Sequence, residues 1–294
     1  MAKQWKDLII AVVGGDEREQ EIARLAAATG ASVRSFGFPG ADGIAGVDCV
    51  EDARAALQGA DIVLFPIPGM TLDGAIFATE KIIPDQDLLA GMAPNGHIIL
   101  GKADNGLRSA AQALGLGLHE YEHDKELMLL RAPAIVEGAL KHMIENTAFT
   151  IHMARVCVVG QGNIGTVLTR TLIALGARVT VAARNPVQRA SAYTLGAETM
   201  ALEEMEERAG EFDIMCSTVP VPLVTAAVID RLPKHAMVID LSAPPGGCDL
   251  DHARKTGRAG VWARALGRRA PITVGASQWM GIEKIIRDVT HIKD

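Results

Sequence analysis

The sequence predicts an α/β protein built from two doubly wound, parallel-sheet domains that are joined by a long helix. The chain has 294 residues, which is enough for two domains that each bury a core. Short apolar runs alternate with helical patterns along most of it, and this alternation is typical of parallel sheets covered by helices on both faces. In the second half, a glycine motif stands between an apolar run and a helical pattern.

The first half contains four strand-like apolar runs, each followed by turn residues and a helical stretch, at residues 7–15, 31–36, 61–65 and 97–100. Asp16 and Glu19 have the spacing of a capping box ahead of a helix. Gly14 and Gly15 lack a third glycine at the spacing of a nucleotide-binding motif. They predict a turn and a helix cap, with a role in lining a cleft as the alternative.

The longest helical pattern covers residues 133–153. It begins with Pro133, whose missing N–H costs little in the first turn of a helix, and it has few helix breakers. We therefore expect a first domain at 1–132, a crossing helix at 133–153 and a second domain at 154–275. A C-terminal helix at 276–294 is expected to return to the first domain.

The motif GQGNIG follows the apolar run of residues 155–159. Gly160 permits the tight turn, Gly162 lets a pyrophosphate approach the backbone, and Gly165 lets the helix pack closely on the strand. The free N–H groups at the start of the helix then face the phosphates. Because strand, turn, helix and second strand are all present, the pattern predicts a Rossmann dinucleotide site. Its predicted residues are Gly160, Gln161, Gly162, Asn163, Ile164 and Gly165.

The end of the second strand predicts the type of dinucleotide. NAD sites usually place Asp or Glu there to bind the ribose 2′-hydroxyl, whereas this strand ends in Ala183, Arg184 and Asn185, with Arg189 one helical turn later. A guanidinium suits a 2′-phosphate, so the sequence favours NADP over NAD. The alternative is a solvated arginine at a strand end.

In open α/β sheets, ligands bind beyond the carboxyl ends of the strands. This rule selects four loops, at residues 66–71, 101–105, 217–220 and 241–247. The last two are expected beside the nicotinamide ribose, and the first two are expected to hold the substrate across a cleft; for each side chain, ordinary turn chemistry is the alternative. The selected residues are Pro68, Gly69, Lys102 and Asn105 in the first pair, and Thr218, Val219, Pro220, Leu241 and Ser242 in the second.

Composition argues against several other classes of protein. The net charge is −6 and aromatic residues make up 4% of the chain, which does not suit a nucleic-acid surface. No apolar run approaches the roughly 20 residues of a membrane span. The four cysteines are far apart and form no C-x-x-C pair, which favours a reduced, cytoplasmic location.

Residues 119–123 form the sequence H-E-x-x-H, which is the spacing of zinc metalloproteases. Zinc chemistry requires both imidazoles on one face of a helix. Here the motif follows a strand-like run broken by glycines. We therefore expect His119 to end a strand and His123 to lie in a solvated turn.

The order of the motifs resembles the A-subunit family of dipicolinate synthase over nearly the whole chain. The resemblance is carried by IAVVGGDEREQEI, IVEGAL, FTIHMARVCVVGQGNIG, VTVAARN, STVP and DLSAPPGGCD. It implies a flavodoxin-like domain followed by a Rossmann domain, in a spore-forming bacterium, at a branch of lysine biosynthesis. It also implies oxidation of dihydrodipicolinate to dipicolinate with NADP, together with a smaller, flavoprotein-like B-subunit.

A dicarboxylate substrate requires cations, for which Lys102 and Arg131 are the main candidates, with Arg264, Arg268 and Arg269 as further ones. Glu137 is the candidate acid/base or orienting carboxylate, although a glutamate at a helix start is also favoured by the helix dipole. Asn105 is expected to orient the substrate, and Ser242 is the third candidate for catalysis.

The sequence departs from the family pattern at Pro68, where the family has Ser, and at Pro244, where it has Arg. Two alternatives therefore stay open: a related dehydrogenase of another small carboxylic acid, or an NADP-binding protein without turnover of its own within a heteromeric complex. A homodimer is the expected oligomer, because C₂ dimers are the commonest assemblies.

Overall fold

The computed structural model describes residues 4–292. Within this part, the chain divides into two compact units. The first unit contains the residues up to Arg131 and those from Ala270 onward, and the second contains Ala132–Arg269. Each unit has one six-stranded sheet in which every pair of neighbouring strands is parallel. The predicted α/β class is confirmed.

The strands and helices of the chain follow one another in nearly regular alternation. Up to residue 120 they are β1 (Ile9–Val13), α1 (Glu17–Ala28), β2 (Ser32–Phe36), β3 (Val47–Cys49), α2 (Ala53–Leu57), β4 (Ile62–Leu64), α3 (Gln86–Leu89), β5 (His97–Leu100), α4 (Asn105–Ala113) and β6 (Gly117–Glu120). From residue 125 they are α5 (Lys125–Glu145), β7 (Arg155–Val159), α6 (Asn163–Ala174), β8 (Arg178–Ala182), α7 (Pro186–Thr194), β9 (Glu198–Met200), α8 (Met205–Arg208), β10 (Ile214–Ser217), α9 (Ala226–Arg231), β11 (Met237–Asp240), α10 (Leu250–Lys255), β12 (Ala259–Trp262) and α11 (Pro271–Thr290).

The two sheets have the same strand order, 3-2-1-4-5-6, when the strands of each unit are counted along the chain and the second sheet is read in the opposite direction. The second sheet runs β12-β11-β10-β7-β8-β9, which is the Rossmann order. The first sheet runs β3-β2-β1-β4-β5-β6. Without the three-residue edge strand β3, this is the flavodoxin order. In both sheets the order reverses at the first strand, so β1 and β7 each lie beside a topological switch point.

The second sheet is buried on both faces, as parallel sheets require. Strand β7 shows this directly, because its residues alternate between two apolar clusters. Val156 and Val158 pack with Leu168 of α6 on one face, and Cys157 and Val159 belong to the cluster on the other face. The nearly continuous apolar run of β7 therefore reflects burial on both sides.

The predicted bounds of the crossing helix are wrong. Helix α5 begins at Lys125 and ends at Glu145, and Pro133 lies inside it. A proline in a helix interior removes one backbone hydrogen bond, which is why the sequence favoured a helix start at that position. Residues after Glu145 turn instead of continuing the helix, and Met153 has a positive φ of 65°.

Helix α11 packs along α1 within the first unit. Gly275 makes the close approach possible, since a Cβ there would lie 2.6 Å from the Arg18 carbonyl oxygen and 2.8 Å from Glu21 Cβ. Trp279 of α11 stacks at a tilt against Trp5, with ring centroids 6.2 Å apart. The C-terminal helix is thus part of the first unit's core.

Candidate functional site

The turn between β7 and α6 gives each glycine of the motif a distinct environment. Gly160 has a positive φ of 96°, and a Cβ on Gly165 would overlap the Gly160 carbonyl oxygen. Gly162 is the N-cap of α6 and has no side chain to cap the helix. The first N–H groups of a helix have no acceptor inside it, and a Cβ on Gly162 would point into open space. The turn therefore offers free backbone donors and room for a phosphate.

Gln161 lies in the same turn and is buried. Its Oε1 accepts a hydrogen bond from the Thr169 hydroxyl at 3.0 Å, while its Nε2 has no partner among the described residues. The hydrogen bond to Oε1 fixes the position of the side-chain amide, and its Nε2–H groups are available to a ligand. The neighbouring Asn163 and Ile164 are the first two residues of α6.

The arginines after β8 have different surroundings. Arg184 is exposed, and no carboxylate within residues 4–292 pairs with it. Arg189 Nη1 instead donates to the carbonyls of Ala183, at 2.7 Å, and Arg184, at 3.0 Å. Asn185 caps α7 by accepting from the Val187 N–H. Arg184 is thus the freer cation, and Arg189 braces the backbone that carries it.

The loops after β10 and β11 are held by buried polar groups. The Thr218 hydroxyl donates to the Val159 carbonyl at 3.1 Å and so ties the β10 loop to β7. Val219 and Pro220 follow, with Pro220 exposed. The Ser242 hydroxyl donates to Asp240 Oδ1 at 2.6 Å.

Asp240 organises the second of these loops, and it was not among the residues predicted from the sequence. Its carboxylate is 1% exposed and accepts from the Ser242 N–H and hydroxyl and from the N–H groups of Gly247 and Cys248. These donors draw residues 241–248 into a compact loop around a buried charge. The signal in the sequence was an acid at the end of an apolar strand, followed by a glycine pair.

In the first unit, the loops after β4 and β5 lie against each other. A Cβ on Gly69 would overlap the Lys102 carbonyl, and one on Gly101 would overlap the Ile67 carbonyl. Pro68 is exposed at the tip of the first loop. These contacts place the predicted residues Pro68, Gly69 and Lys102 together, as their positions at one sheet edge suggested.

Lys102 and Asn105 are exposed beside this contact. Lys102 Nζ lies 3.7 Å from Glu122 Oε2, in the loop after β6. Asn105 is the first residue of α4, and Asp104 caps that helix by accepting from the Leu107 N–H at 2.8 Å. Both selected side chains are available to a ligand.

The turn between β1 and α1 is built from buried charged residues. Asp16 and Glu19 form the predicted capping box. Arg18 donates twice to the Asp16 carboxylate, with both distances 2.7 Å. Glu19 accepts from the N–H groups of Asp16, at 2.7 Å, and Ile67, at 3.2 Å, which joins this turn to the β4 loop. Burial raises the pKa of Glu19 to about 7, although Arg18 opposes the shift.

Arg131 and Glu137 both lie on α5. Burial lowers the pKa of Arg131, and no carboxylate of the described residues forms an ion pair with it. Glu137 has an exposed side chain that pairs with Arg269 inside the second unit. The predicted roles of both residues in the reaction stay predictions.

The H-E-x-x-H residues do not lie on a helix. His119 belongs to β6, where its Nε2 lies 3.2 Å from His97 Nδ1, and burial lowers its pKa. His123 is almost fully exposed in the turn that follows. Among residues 4–292, no group of three or more His, Cys, Asp or Glu side chains is arranged to hold a metal ion. The expected strand end and solvated turn are confirmed.

Comparison with known proteins decides the family. Residues 9–122 match the model of the N-terminal domain of the dipicolinate synthase A-subunit. The dipicolinate synthase A-subunit of Bacillus subtilis (strain 168) is 30% identical over 289 residues, which cover 96% of this chain and 97% of that protein. The chain belongs to the A-subunit family of dipicolinate synthase.

Solved structures agree with this assignment. The crystal structure of the dipicolinate synthase A-subunit from Bacillus halodurans matches with a TM-score of 0.88 and 27% identity, over 97% of this chain and 99% of that one. A transhydrogenase from Sinorhizobium meliloti shares the fold with a TM-score of 0.69 at 16% identity, over 94% of both chains.

The second unit has its own family match. Residues 139–261 match the C-terminal domain of alanine dehydrogenase/PNT. Together with the matches to dipicolinate synthase, this supports an oxidoreductase that uses a nicotinamide cofactor. Separately, no helix within residues 4–292 combines the length and apolar character of a membrane span.

Proposed function

We propose that this member of the dipicolinate synthase A-subunit family oxidises dihydrodipicolinate to pyridine-2,6-dicarboxylate with NADP⁺, in the cytoplasm of a spore-forming bacterium. The single observation that carries the cofactor assignment is the β8 end, where an exposed Arg184 stands in place of the acid of NAD sites. The substrate assignment is supported by the full-length similarity to the Bacillus subtilis protein.

The residues of the second unit fit a dinucleotide. The uncapped start of α6 and the open side of Gly162 suit the pyrophosphate, and the unpartnered Gln161 Nε2 is a further donor at the same turn. Arg184 would bind the 2′-phosphate through charge-assisted hydrogen bonds. Thr218 and the Asp240-anchored loop with Leu241 and Ser242 would flank the nicotinamide ribose.

When bound, the nicotinamide supplies the acceptor for a hydride from the dihydropyridine ring. The balance of the reaction is one hydride lost to NADP⁺ and one proton lost to a base, which leaves the aromatic dicarboxylate. Lys102 and Arg131 would bind the two carboxylates, and Asn105 would orient the ring beside Pro68 and Gly69. Glu137 is the proposed proton acceptor.

The proposal can be tested with dihydrodipicolinate that is generated in situ and supplied with NADP⁺ or NAD⁺. The assay follows the absorbance of the reduced nicotinamide and the ultraviolet bands of the pyridine dicarboxylate. We expect product with NADP⁺ preferred. Cofactor binding without product, both for the chain alone and after co-expression with the B-subunit, would reject the substrate and favour another small carboxylic acid, since Pro68 and Pro244 depart from the family pattern.

We also propose a flavoprotein-like B-subunit as partner and a homodimer of this chain. Light scattering of the purified protein, alone and after co-expression with the B-subunit, would measure both assemblies. Turnover that appears only with the partner would assign this chain the role of an NADP-binding component.

A further inference from the structure

The first unit contains a cluster of buried polar side chains that the proposed function does not yet use. We call Arg18, Tyr121, Arg131 and Gln278 the polar cluster. Tyr121 follows β6 directly, and Arg18 lies in the first turn of α1, at the carboxyl end of β1. Both strands belong to one parallel sheet, so these ends lie along the same edge as the substrate loops.

Helix α11 brings Gln278 to the same region. Gly275, one turn before Gln278, packs on the Arg18 carbonyl, and Gly281, about one turn after it, packs on Leu127 of α5. Gln278 is fully buried between these two contacts. Arg131 is one turn further along α5 from Leu127. Arg18 and Arg131 both act on the Tyr121 hydroxyl, and α11 carries Gln278 between its contacts with α1 and α5.

Several polar atoms of the cluster have no hydrogen-bond partner among residues 4–292. They are Tyr121 Oη, Arg131 Nε, and both Oε1 and Nε2 of Gln278. Tyr121 is 3% exposed and Gln278 is 0% exposed. Buried polar side chains in native proteins are nearly always paired, because an unmade hydrogen bond leaves the full desolvation cost. Four such atoms together point to a ligand with complementary groups.

The charges show which kind of ligand fits. The Asp16 carboxylate accepts hydrogen bonds from the Arg18 guanidinium, and the Glu19 carboxylate accepts from two backbone N–H groups. Within residues 4–292, the Arg131 side chain makes one hydrogen bond, from Nη2 to the Met128 sulfur. Glu122 is the remaining acid that acts on Arg131. Its side chain is partly exposed, but its Oε2 is buried without a hydrogen-bond partner among residues 4–292 and lies 3.7 Å from Lys102 Nζ and 3.9 Å from His123 Nε2. The Arg131 Nε–H, the Tyr121 hydroxyl and the Gln278 Nε2 amine have no acceptor among residues 4–292, and these three groups form a donor set for an anion.

We propose that Tyr121, Arg131 and Gln278 bind one carboxylate of the substrate, and that Asp16, Arg18 and Glu19 hold this site in position. The proposal rests on the proposed function, and it adds Tyr121 and Gln278 to the predicted cation Arg131. Guanidinium and phenol donors at a buried site bind a carboxylate strongly, because charge-assisted hydrogen bonds are the strong ones.

Calorimetric titration with pyridine-2,6-dicarboxylate tests the site without turnover, and succinate and lactate serve as further carboxylate probes. Tyr121→Phe and Gln278→Met keep the volume of each side chain. We expect each variant to weaken carboxylate binding roughly tenfold while leaving NADP binding unchanged. The matched control is Tyr193→Phe, since Tyr193 is exposed on α7.

Stability measurements separate this role from a structural one. If Tyr121 Oη serves a ligand, Tyr121→Phe leaves the thermal midpoint of the ligand-free protein unchanged or raised. A lowered midpoint with unchanged carboxylate binding would overturn the site. Glu122→Gln removes a negative charge that acts on Arg131 and is expected to keep or tighten carboxylate binding. Loss of binding in this variant would overturn the site.

The outcomes distinguish the site from the function. If pyridine-2,6-dicarboxylate binds tightly and neither Tyr121→Phe nor Gln278→Met changes its affinity, the site is rejected and the proposed function is retained. Binding of succinate or lactate without binding of pyridine-2,6-dicarboxylate, lost in both variants, would support the site and reject dihydrodipicolinate as the substrate. No binding of any probe by the wild type would reject both.

Discussion

At the scale of single residues, Arg184 and Arg189 show how two neighbouring arginines take different roles at one strand end. Arg189 donates hydrogen bonds to two backbone carbonyls, so its position is fixed by the fold. Within residues 4–292, Arg184 makes no such hydrogen bond, and its side chain is exposed. An exposed guanidinium that pairs with no carboxylate of residues 4–292 is suited to a phosphate dianion.

The first prediction concerns Arg184→Glu. A carboxylate at this position would repel the 2′-phosphate and accept from a ribose 2′-hydroxyl, so we expect KM for NADP to rise about 10- to 100-fold, in line with about 1.5–3 kcal/mol for hydrogen bonds to charged groups. KM for NAD should stay equal or fall. Arg170→Glu, at an exposed position of α6, is the control. Equal changes in KM for NADP and for NAD would show that Arg184 does not bind the 2′-phosphate.

Glu19 is a residue whose protonation is tied to folding. Its carboxyl is 2% exposed, and burial raises its pKa from 4.5 to about 7 in the folded protein. The folded state therefore holds a proton that the unfolded chain releases near pH 4.5. This contribution to stability is fully present below about pH 4.5 and is lost as the pH rises through about 7.

The second prediction concerns this loss of stability with rising pH. Between pH 4.5 and 7.5, the free energy of unfolding of the wild type should fall by about 3 kcal/mol more than that of Glu19→Gln, since each pKa unit corresponds to about 1.4 kcal/mol. Chemical denaturation at several pH values measures the difference. Glu80→Gln, at an exposed position, should follow the wild type. Parallel curves for wild type and Glu19→Gln would contradict the shift.

At the scale of elements, the glycines of the β7–α6 turn have two different roles, one in packing and one in ligand binding. Gly165 is required by the fold, because any Cβ there meets the Gly160 carbonyl. Gly162 is free of such contact, and its φ of −85° is open to other residues. The same motif thus contains one glycine that stabilises the unit and one that keeps space open for a ligand.

The third prediction is a contrast between two variants. Gly162→Ala should keep the thermal midpoint close to that of the wild type, and it should weaken NADP binding at least tenfold because the methyl group takes space needed by the pyrophosphate. Gly165→Ala should lower the midpoint itself. Calorimetry with and without NADP measures both effects. Unchanged NADP binding by Gly162→Ala would place the pyrophosphate elsewhere.

The elements also show where sequence patterns succeed and fail. The core strands β1, β4, β5, β7, β8, β10 and β11 were predictable because burial on both faces gives long apolar runs. Of the four edge strands, β3, β9 and β12 have three or four residues each and carry no such run, and β6 has four residues that follow a run broken by glycines. Pro133 misled the prediction of α5 because packing on both sides of it outweighs one missing hydrogen bond.

At the scale of the whole molecule, each unit has its own sheet and its own buried core. Ligands that bind a single folded unit stabilise that unit by mass action. The assignment of the dinucleotide to the second unit and the dicarboxylate to the first therefore has a thermodynamic consequence.

The fourth prediction is that scanning calorimetry resolves two transitions with separate ligand responses. NADP at about 100 times its Kd should stabilise one transition by about 2.7 kcal/mol, and pyridine-2,6-dicarboxylate should raise the other. Gly162→Ala should reduce the first response, to about 1.4 kcal/mol or less at the same NADP concentration, and leave the second unchanged. If both ligands raise the same transition, the two sites do not belong to separate units.

The sequence by itself determined the α/β class, the glycine turn, the arginine at the end of β8 and the loops at the carboxyl edges, because these depend on local patterns and on chain order. Only the tertiary structure decided that Asp240 is the centre of its loop, that Glu19 reaches the β4 loop, and that Tyr121 and Gln278 are buried without partners among the described residues. These features join residues that are distant in the chain. Burial and hydrogen-bond saturation exist only after the chain has folded, so no local pattern contains them.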